Sequence, residues 1–391
     1  MQSICPFRGN VTCFTVSGTN YFAGSEGHGL YRSTDNGDNW TFANNGISNY
    51  TILTLDVSNG IIFAGTAGNG IFLSSNGGLN FSPSNNGLAT SNALYIYTII
   101  NSGSTLCVGT GDGVYISIDN GNIWTKFNNG ITTQFVTTLA VSGTNLFAET
   151  FGAGVFKSTN GGVNWLSASN GLTNLTAGSI AASGTNVYFG TVGGGLFLST
   201  NNGDNWSPAG FPNQNVRSLA LSGNNLFAGT DNGIYLSTNN GITWLHKNEG
   251  FIIVPRVNSI LITNNYIFSG TYTQSMWRRY YSEIIDMKKI SELIPSEYSL
   301  EQNYPNPFNL STIIRFKIPG SENGKLKTEN SRVVLKVYDI LGKEIKTLVN
   351  EKLSPGEYKV PFAINQIPSG IYFYRLQMDG YSETKKMMLI K

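Results

Sequence analysis

The sequence predicts an all-β protein, on three observations. Glycine makes up 46 of the 391 residues, against a usual share of about 7%. Only 12% of residues are charged while 12% are aromatic, which is about half the ordinary charge content and far more ring than a disordered chain carries. Short runs of β-branched and aromatic residues alternate with period two between Gly/Asn clusters, and no window holds a helical period of comparable length.

Self-similarity then organises these runs. The segment Ser33-Thr-Asp-Asn-Gly-Asp-Asn-Trp40 has five counterparts, closing on Phe81, Trp124, Trp165, Trp206 and Trp244. The steps between the six aromatic residues are 41, 43, 41, 41 and 38 residues. A period near 40 suits a propeller blade of four strands, and the strand chemistry excludes the helical repeats of that length. Each unit opens with an alternating run such as Val136-Thr-Thr-Leu-Ala-Val141, then a turn, then Leu146-Phe-Ala and a Gly-rich turn. A further strand runs into the Ser-x-Asp box. The opening strand recurs at Val11, Ile52, Tyr95, Val136, Gly178, Val216 and Val257, which makes seven units. The seventh keeps Ile267-Phe-Ser-Gly-Thr271 and Met276-Trp277 but has no box and no fourth strand. Such units bury their faces only by stacking. Residues 1–285 are therefore expected to form a seven-bladed β-propeller. Residues 2–8 are expected to close it by pairing antiparallel with residues 277–281.

The box chemistry is readable directly. The residue at Asp35, Asn76, Asp119, Asn160, Asn201 and Asn239 accepts hydrogen bonds from backbone N–H groups two residues on, as in an Asx-turn. The following Gly takes a left-handed conformation. The aromatic residue (Trp40, Phe81, Trp124, Trp165, Trp206, Trp244) begins the outer strand and packs between sheets. Asn stands for Asp in four of the six boxes, which a turn tolerates and a metal or catalytic role does not. These segments resemble the Asp-box, or bacterial neuraminidase repeat, of sialidase-type propellers. The resemblance implies that the boxes lie between outer strands, away from the ligand-binding face.

Charge divides the chain. Residues 1–285 carry 9 Lys/Arg and 11 Asp/Glu, and residues 286–391 carry 16 and 12. The jump in density marks a domain boundary near residue 286, with a linker expected over 286–297. Neither part has the basic excess of a nucleic-acid binder. Cys5, Cys13 and Cys107 fit no disulfide framework, and with only His28 and His246 beside them no metal site and no cofactor are expected. No apolar stretch reaches membrane-spanning length. No signal peptide is visible at the start, so an incomplete N-terminus is the expectation.

A sialidase would need an arginine cluster and an early Arg-Ile-Pro motif, and that motif is absent. The ring has Arg8, Arg32, Arg217, Arg256, Arg278 and Arg279 at non-recurring positions. Glu149 is the odd residue, because other units read Ala-Gly-Thr where this one reads Ala148-Glu-Thr150. At the end of an inner strand it reads as a solvated charge at the channel rim, or as an anion or sugar site opposite Arg217 and Arg256. The ligand face is expected to be the one carrying the turns between second and third strands. Its candidates are Tyr50, Asp112, Phe151, Asp231, Tyr272, Arg217 and Arg256.

The tail reads as a small immunoglobulin-like β-sandwich over 298–391, with strands at Val333-Val-Leu-Lys-Val-Tyr338, Ser369-Gly-Ile-Tyr-Phe-Tyr-Arg-Leu376 and Lys385-Lys-Met-Met-Leu-Ile390. Asn303-Tyr304-Pro305-Asn306-Pro307-Phe308-Asn309 is expected to be extended, since two prolines bar helix. This motif and the strands after it resemble the type A C-terminal sorting domain of the type IX secretion system of Bacteroidetes, although Leu310 stands where that family has Pro. The resemblance implies export, with the secretion machinery as partner of residues 298–391, and a product on the outer surface or free in the medium. The expected function is non-catalytic binding of extracellular polysaccharide or protein. A glycoside hydrolase and an assembly factor of the photosystem II stability type are the rival readings.

Overall fold

The structure is a computed structural model that describes residues 2–3, 9–47, 51–248, 250–251, 253–281, 288–291, 295–309, 311–322, 325–326, 331–353, 355–363, 368–378 and 380–390. The chain separates into two compact units, one of Met1–Thr263 with Ile267–Arg278 and one of Arg279–Lys391 with Asn264–Tyr266.

The first unit is a β-propeller. Among the described residues it holds seven antiparallel four-stranded sheets. The first sheet runs Val11–Ser17, Asn20–Ser25, Gly29–Ser33 and Thr41–Phe42 from inside to outside. The other innermost strands are Ile52–Ser58, Ile96–Ser102, Val136–Ser142, Ala177–Ser183, Val216–Ser222 and Val257–Ile262. Each packs on the next, and Val257–Ile262 packs on Val11–Ser17. The apolar clusters accordingly combine neighbouring sheets. One of them joins Phe22 and Leu30 to Ile52, Ile62 and Phe72.

A glycine at one register position lets the sheets approach. A Cβ at Gly24 would lie 2.7 Å from Ile52 Cγ2, at Gly65 2.5 Å from Ile96 Cγ2, and at Gly109 2.8 Å from Val136 Cγ1. Gly190 meets Val216, Gly229 meets Val257, and Gly270 meets Val11 at 2.7 Å. The last of these contacts closes the ring sterically. The chain ends close it by hydrogen bonding. Gln2–Ser3 pairs antiparallel with Met276–Tyr280, Gln2 opposite Arg278 and Ser3 opposite Trp277, as expected for an edge that would otherwise stand open. Residues 4–8 of that proposed clasp lie outside the described residues.

The boxes share one geometry whether Asp or Asn is present. Ser33 Oγ donates to Asp35 Oδ1 at 2.8 Å, and Asp35 Oδ1 accepts the N–H of Asn39 at 2.9 Å. Asn201 does the same with Asn205 N–H at 3.0 Å, and Asn239 with Thr243 N–H at 2.9 Å. The accepted N–H is thus four residues on, not two, and the Ser hydroxyl takes the Gly N–H inside the same turn. The Trp165 and Trp206 indoles donate across to Phe127 O and Ala168 O of the preceding sheet.

The second unit is a sandwich of two four-stranded sheets. One contains Glu344–Leu353, Ser331–Tyr338, Gly370–Met378 and Tyr381–Leu389 in spatial order, and the other Lys288–Ser291, Gly356–Ala363, Ser311–Ile318 and Ser299–Leu300. Its core includes Phe316, Leu335, Tyr374 and Met387. Two expectations are corrected here. Lys288–Ser291 lies inside the expected linker but pairs with Gly356–Ala363, since the rise in charge marks the first strand of the second domain and not a spacer. The stretch 303–309 is not simply extended but bends, with both Tyr304–Pro305 and Asn306–Pro307 in cis. The bend lets Asn303 Nδ2 donate to Pro305 O and Thr312 Oγ1, and buries Phe308. Leu310 lies outside the described residues.

Candidate functional site

Each innermost strand bulges after its first residue. The register shifts between Val11 and Cys13, Ile52 and Thr54, Ile96 and Thr98, Val136 and Thr138, Ala177 and Ser179, Val216 and Ser218, and Val257 and Ser259. A bulge re-aims the extra side chain. The extra residues are Thr12, Leu53, Tyr97, Thr137, Gly178, Arg217 and Asn258. They circle the end of the ring at which the inner strands begin. The turns between second and third strands open at the same end.

Two sectors of this face carry chemistry. Across the third and fourth sheets runs an aromatic row: Tyr95 and Tyr97 stack at 6.5 Å, Tyr97 and Phe135 lie 4.8 Å apart, and Phe135 meets Phe151 edge-on at 6.0 Å. Tyr95, Phe135 and Phe151 are 42%, 41% and 62% exposed. Across the sixth, seventh and first sheets runs a polar chain. Arg217 grips Asp231 through Nε at 2.5 Å and Nη2 at 3.3 Å, and Asn215 adds a third donor. Arg256 Nε stands 3.8 Å from Asp231 and donates to Asn258 at 3.0 Å, with its guanidinium 4.6 Å over the Tyr272 ring. Asn258 donates to Asn10, and Asn10 to Glu26, both at 2.6 Å. The Arg217 guanidinium holds the Asp231 carboxyl below the usual carboxylate range.

Of the sequence candidates, Arg217, Arg256, Asp231 and Tyr272 therefore come together, and Phe151 stands apart in the aromatic row. Asp112 is sealed by Tyr115 OH and Lys126 Nζ, each at 2.8 Å, and by Thr90 Oγ1 at 3.0 Å. Burial disfavours its charge, but these donors prevail and keep its carboxyl low. Tyr50 lies outside the described residues. Glu149 is neither a solvated rim charge nor open to ligand. It is fully buried and accepts from Thr137 Oγ1, because it occupies the joint position where the other six sheets carry Gly. The next unit has Ala177 where the others have Val or Ile. Tyr95, Tyr97 and Phe135 do not stand out as a site in the sequence. Taking Tyr95 as the opening of the third inner strand is off by one residue, and Ile96 is the buried one. A one-residue slip exchanges the faces. Among the described residues no cluster of three His, Cys, Asp or Glu side chains offers a metal site.

One titration on the inner strands is testable. Burial pushes the Asp56 carboxyl up to about 6, against backbone N–H bonds from Val57 and Asn101. The folded value exceeds the unfolded one, so the contribution is fully present below about pH 4 and lost as pH rises through 6. Asp56→Asn should therefore stabilise the fold at pH 8 by up to ~3 kcal/mol, read as a higher Tm, with the gain vanishing by pH 4. A gain independent of pH in calorimetry would refute the assignment.

Residues 302–391 match the family described as the secretion system C-terminal sorting domain. The chain thus carries a type IX sorting domain and is a secreted or outer-surface protein of the Bacteroidetes kind. No curated protein was found to match its sequence. Among solved structures it is similar to YCF48 from Cyanidioschyzon merolae, at 14% identity and a TM-score of 0.57 over 73% of this chain and 99% of that one. YCF48 bound to a D1 peptide is similarly close, at 15% identity and a TM-score of 0.57 over 70% and 94%. The extracellular domain of the putative one-component system BT4673 from B. thetaiotaomicron gives 14% and 0.58 over 99% of this chain and 58% of that one. The Niastella koreensis GH74 enzyme gives 15% and 0.52 over 69% and 43%. The chain spans little more than half of the BT4673 domain and less than half of the GH74 enzyme. At such identities the likeness shows the fold alone.

Proposed function

We propose that this protein is a secreted seven-bladed propeller that binds extracellular polysaccharide without cleaving it. The sorting domain over 298–391 hands the chain to the type IX machinery. The aromatic row Tyr95–Tyr97–Phe135–Phe151 carries the reading. Four adjacent rings, three of them well exposed, form the kind of apolar patch that marks an interaction surface, and flat rings suit the apolar faces of sugars. The polar chain from Asp231 to Glu26 supplies hydrogen-bond partners across the same face. Hydrolysis usually needs a proton-donating carboxylic acid beside a second carboxylate. Asp231 is held ionised by Arg217, Asp112 is saturated and Glu149 is buried, which favours binding over the hydrolase reading.

A glycan array run beside a fluorogenic glycosidase panel tests this. A polysaccharide should be retained, Phe151→Ala should weaken it about tenfold for a lost ring contact of ~1.4 kcal/mol, and no glycoside should turn over. Turnover abolished by Asp231→Asn would install the hydrolase reading. Retention of a protein ligand only, undiminished by Phe151→Ala, would remove the aromatic row from the function.

A further inference from the structure

The joint between the fifth and sixth sheets departs from the repeat. At four other joints an Asn carbonyl after the outer strand accepts the N–H of the next box aromatic: Asn45 from Phe81, Asn86 from Trp124, Asn129 from Trp165 and Asn170 from Trp206, at 2.8–2.9 Å. After the fifth box the chain reads Ser207-Pro-Ala-Gly-Phe-Pro212 instead, and here the repeat shortens to 38 residues. The outer strand lengthens to Ser207–Gly210 with a register shift. Phe211 takes φ 56°, a left-handed conformation that bulky side chains avoid and that tends to be kept at functional places. Its ring lies 4.7 Å from both Tyr235 and Trp244. Among the described residues no carbonyl takes the place of those Asn groups before Trp244.

A cleft of about 590 Å³ lies at this joint, within the size of small-molecule sites. Trp244, Leu198, Pro208 and Ile242 give it apolar walls, and Asn201, Asn205 and Asn240 give it amides. No charged side chain lines it.

The preceding joint serves as an internal control. There the position of Leu198 is taken by Lys157 and that of Ile242 by Asp204, and the two form an ion pair at 2.9 Å across a cleft of about 460 Å³. Arg278 and Asp38 bridge the joint between the seventh and first sheets at 2.6 Å. Between the fifth and sixth sheets the same two positions are apolar, and Ile242 is 79% exposed.

We infer that this cleft binds an uncharged pyranose. A charged ligand would find no counter-charge there. A wholly apolar one would make no use of the amide Nδ2 groups of Asn201, Asn205 and Asn240, whose oxygens already accept from Asn205 N–H, Asn170 Nδ2 and Tyr188 OH. A neutral sugar offers an apolar ring face to the Trp244 indole and hydroxyls to the Asn side chains. The site lies at the outer edge of the ring, apart from the aromatic row, and stands or falls independently of it.

The test titrates the full chain with cellotetraose, laminaritetraose, mannotetraose and trigalacturonate, followed by tryptophan fluorescence and calorimetry. At least one neutral sugar should bind with a Kd of about 1 mM or tighter, and trigalacturonate should not. Leu198→Lys with Ile242→Asp installs the ion pair of the preceding joint and should weaken binding at least tenfold. Ile242→Asp alone alters only an exposed side chain and should weaken it in a chain that melts like the wild type. Phe151→Ala should leave this binding unchanged. Absence of any neutral-sugar binding, equal binding of trigalacturonate, indifference to both cleft variants, or loss in Phe151→Ala would each overturn the assignment.

Discussion

Gly270→Val should lower the melting temperature of the ring by roughly 6–12 °C, taking about 3 kcal/mol of overpacking at ~2–4 °C per kcal/mol. The new Cβ would stand 2.3 Å from Ser259 Oγ and 2.7 Å from Val11 Cγ1. Val11 belongs to the first sheet, so relief of the clash must open the joint at which the chain ends meet. The steric argument has its own control in the one sheet that breaks the rule. Glu149 stands at the joint position, and the following unit begins with Ala177 in place of Val or Ile. Ala177→Val alone should therefore destabilise, while Glu149→Gly with Ala177→Val restores the pattern of the other joints and should recover the loss. A Gly270→Val protein melting within 1 °C of wild type by calorimetry would show that the joint yields cheaply, and the account of ring closure would fail with it.

The repeat makes most of this fold legible in the sequence. Period, box and strand chemistry are local signals repeated six times, so the strand starts at Val11, Ile52, Val136, Val216 and Val257 agree with the structure. The N-terminal clasp followed from the arithmetic of strands, since the seventh unit lacked an outer one. The site was less legible, because it is built by the bulge. Position two of each inner strand turns its side chain to the face, and nothing in a single strand reveals a bulge. Arg217 stands out by its charge, whereas Tyr97 and Phe135 read as ordinary strand aromatics. Seven aligned units hold the missing signal: Tyr97 stands in the column of Thr12, Thr137 and Asn258. Glu149 misled for a related reason. Its oddness in the alignment was real, but the column it broke is a packing column, where an unusual residue is matched by its neighbour in the next unit.

The sorting domain yields the prediction with the largest functional effect. The second unit has its own core, drawn from residues 300–389, so its removal should leave a ring that melts like that of the full chain. The place of the cut matters. A chain ending at residue 297 would keep Lys288–Ser291 without its partner Gly356–Ala363, an open strand that invites association. A chain ending at residue 285 avoids this and should be the better-behaved of the two in light scattering. Expressed behind a signal peptide in a host with a type IX system, the full chain should reach the outer surface or the medium, and the chain ending at 285 should stay in the periplasm. The contrast should be all-or-none, because the chain ending at 285 lacks the domain that matches the sorting family. Protease accessibility on intact cells reads it directly. Surface exposure of the chain ending at 285 would mean that the ring itself is recognised, and the export role of residues 298–391 would have to be given up.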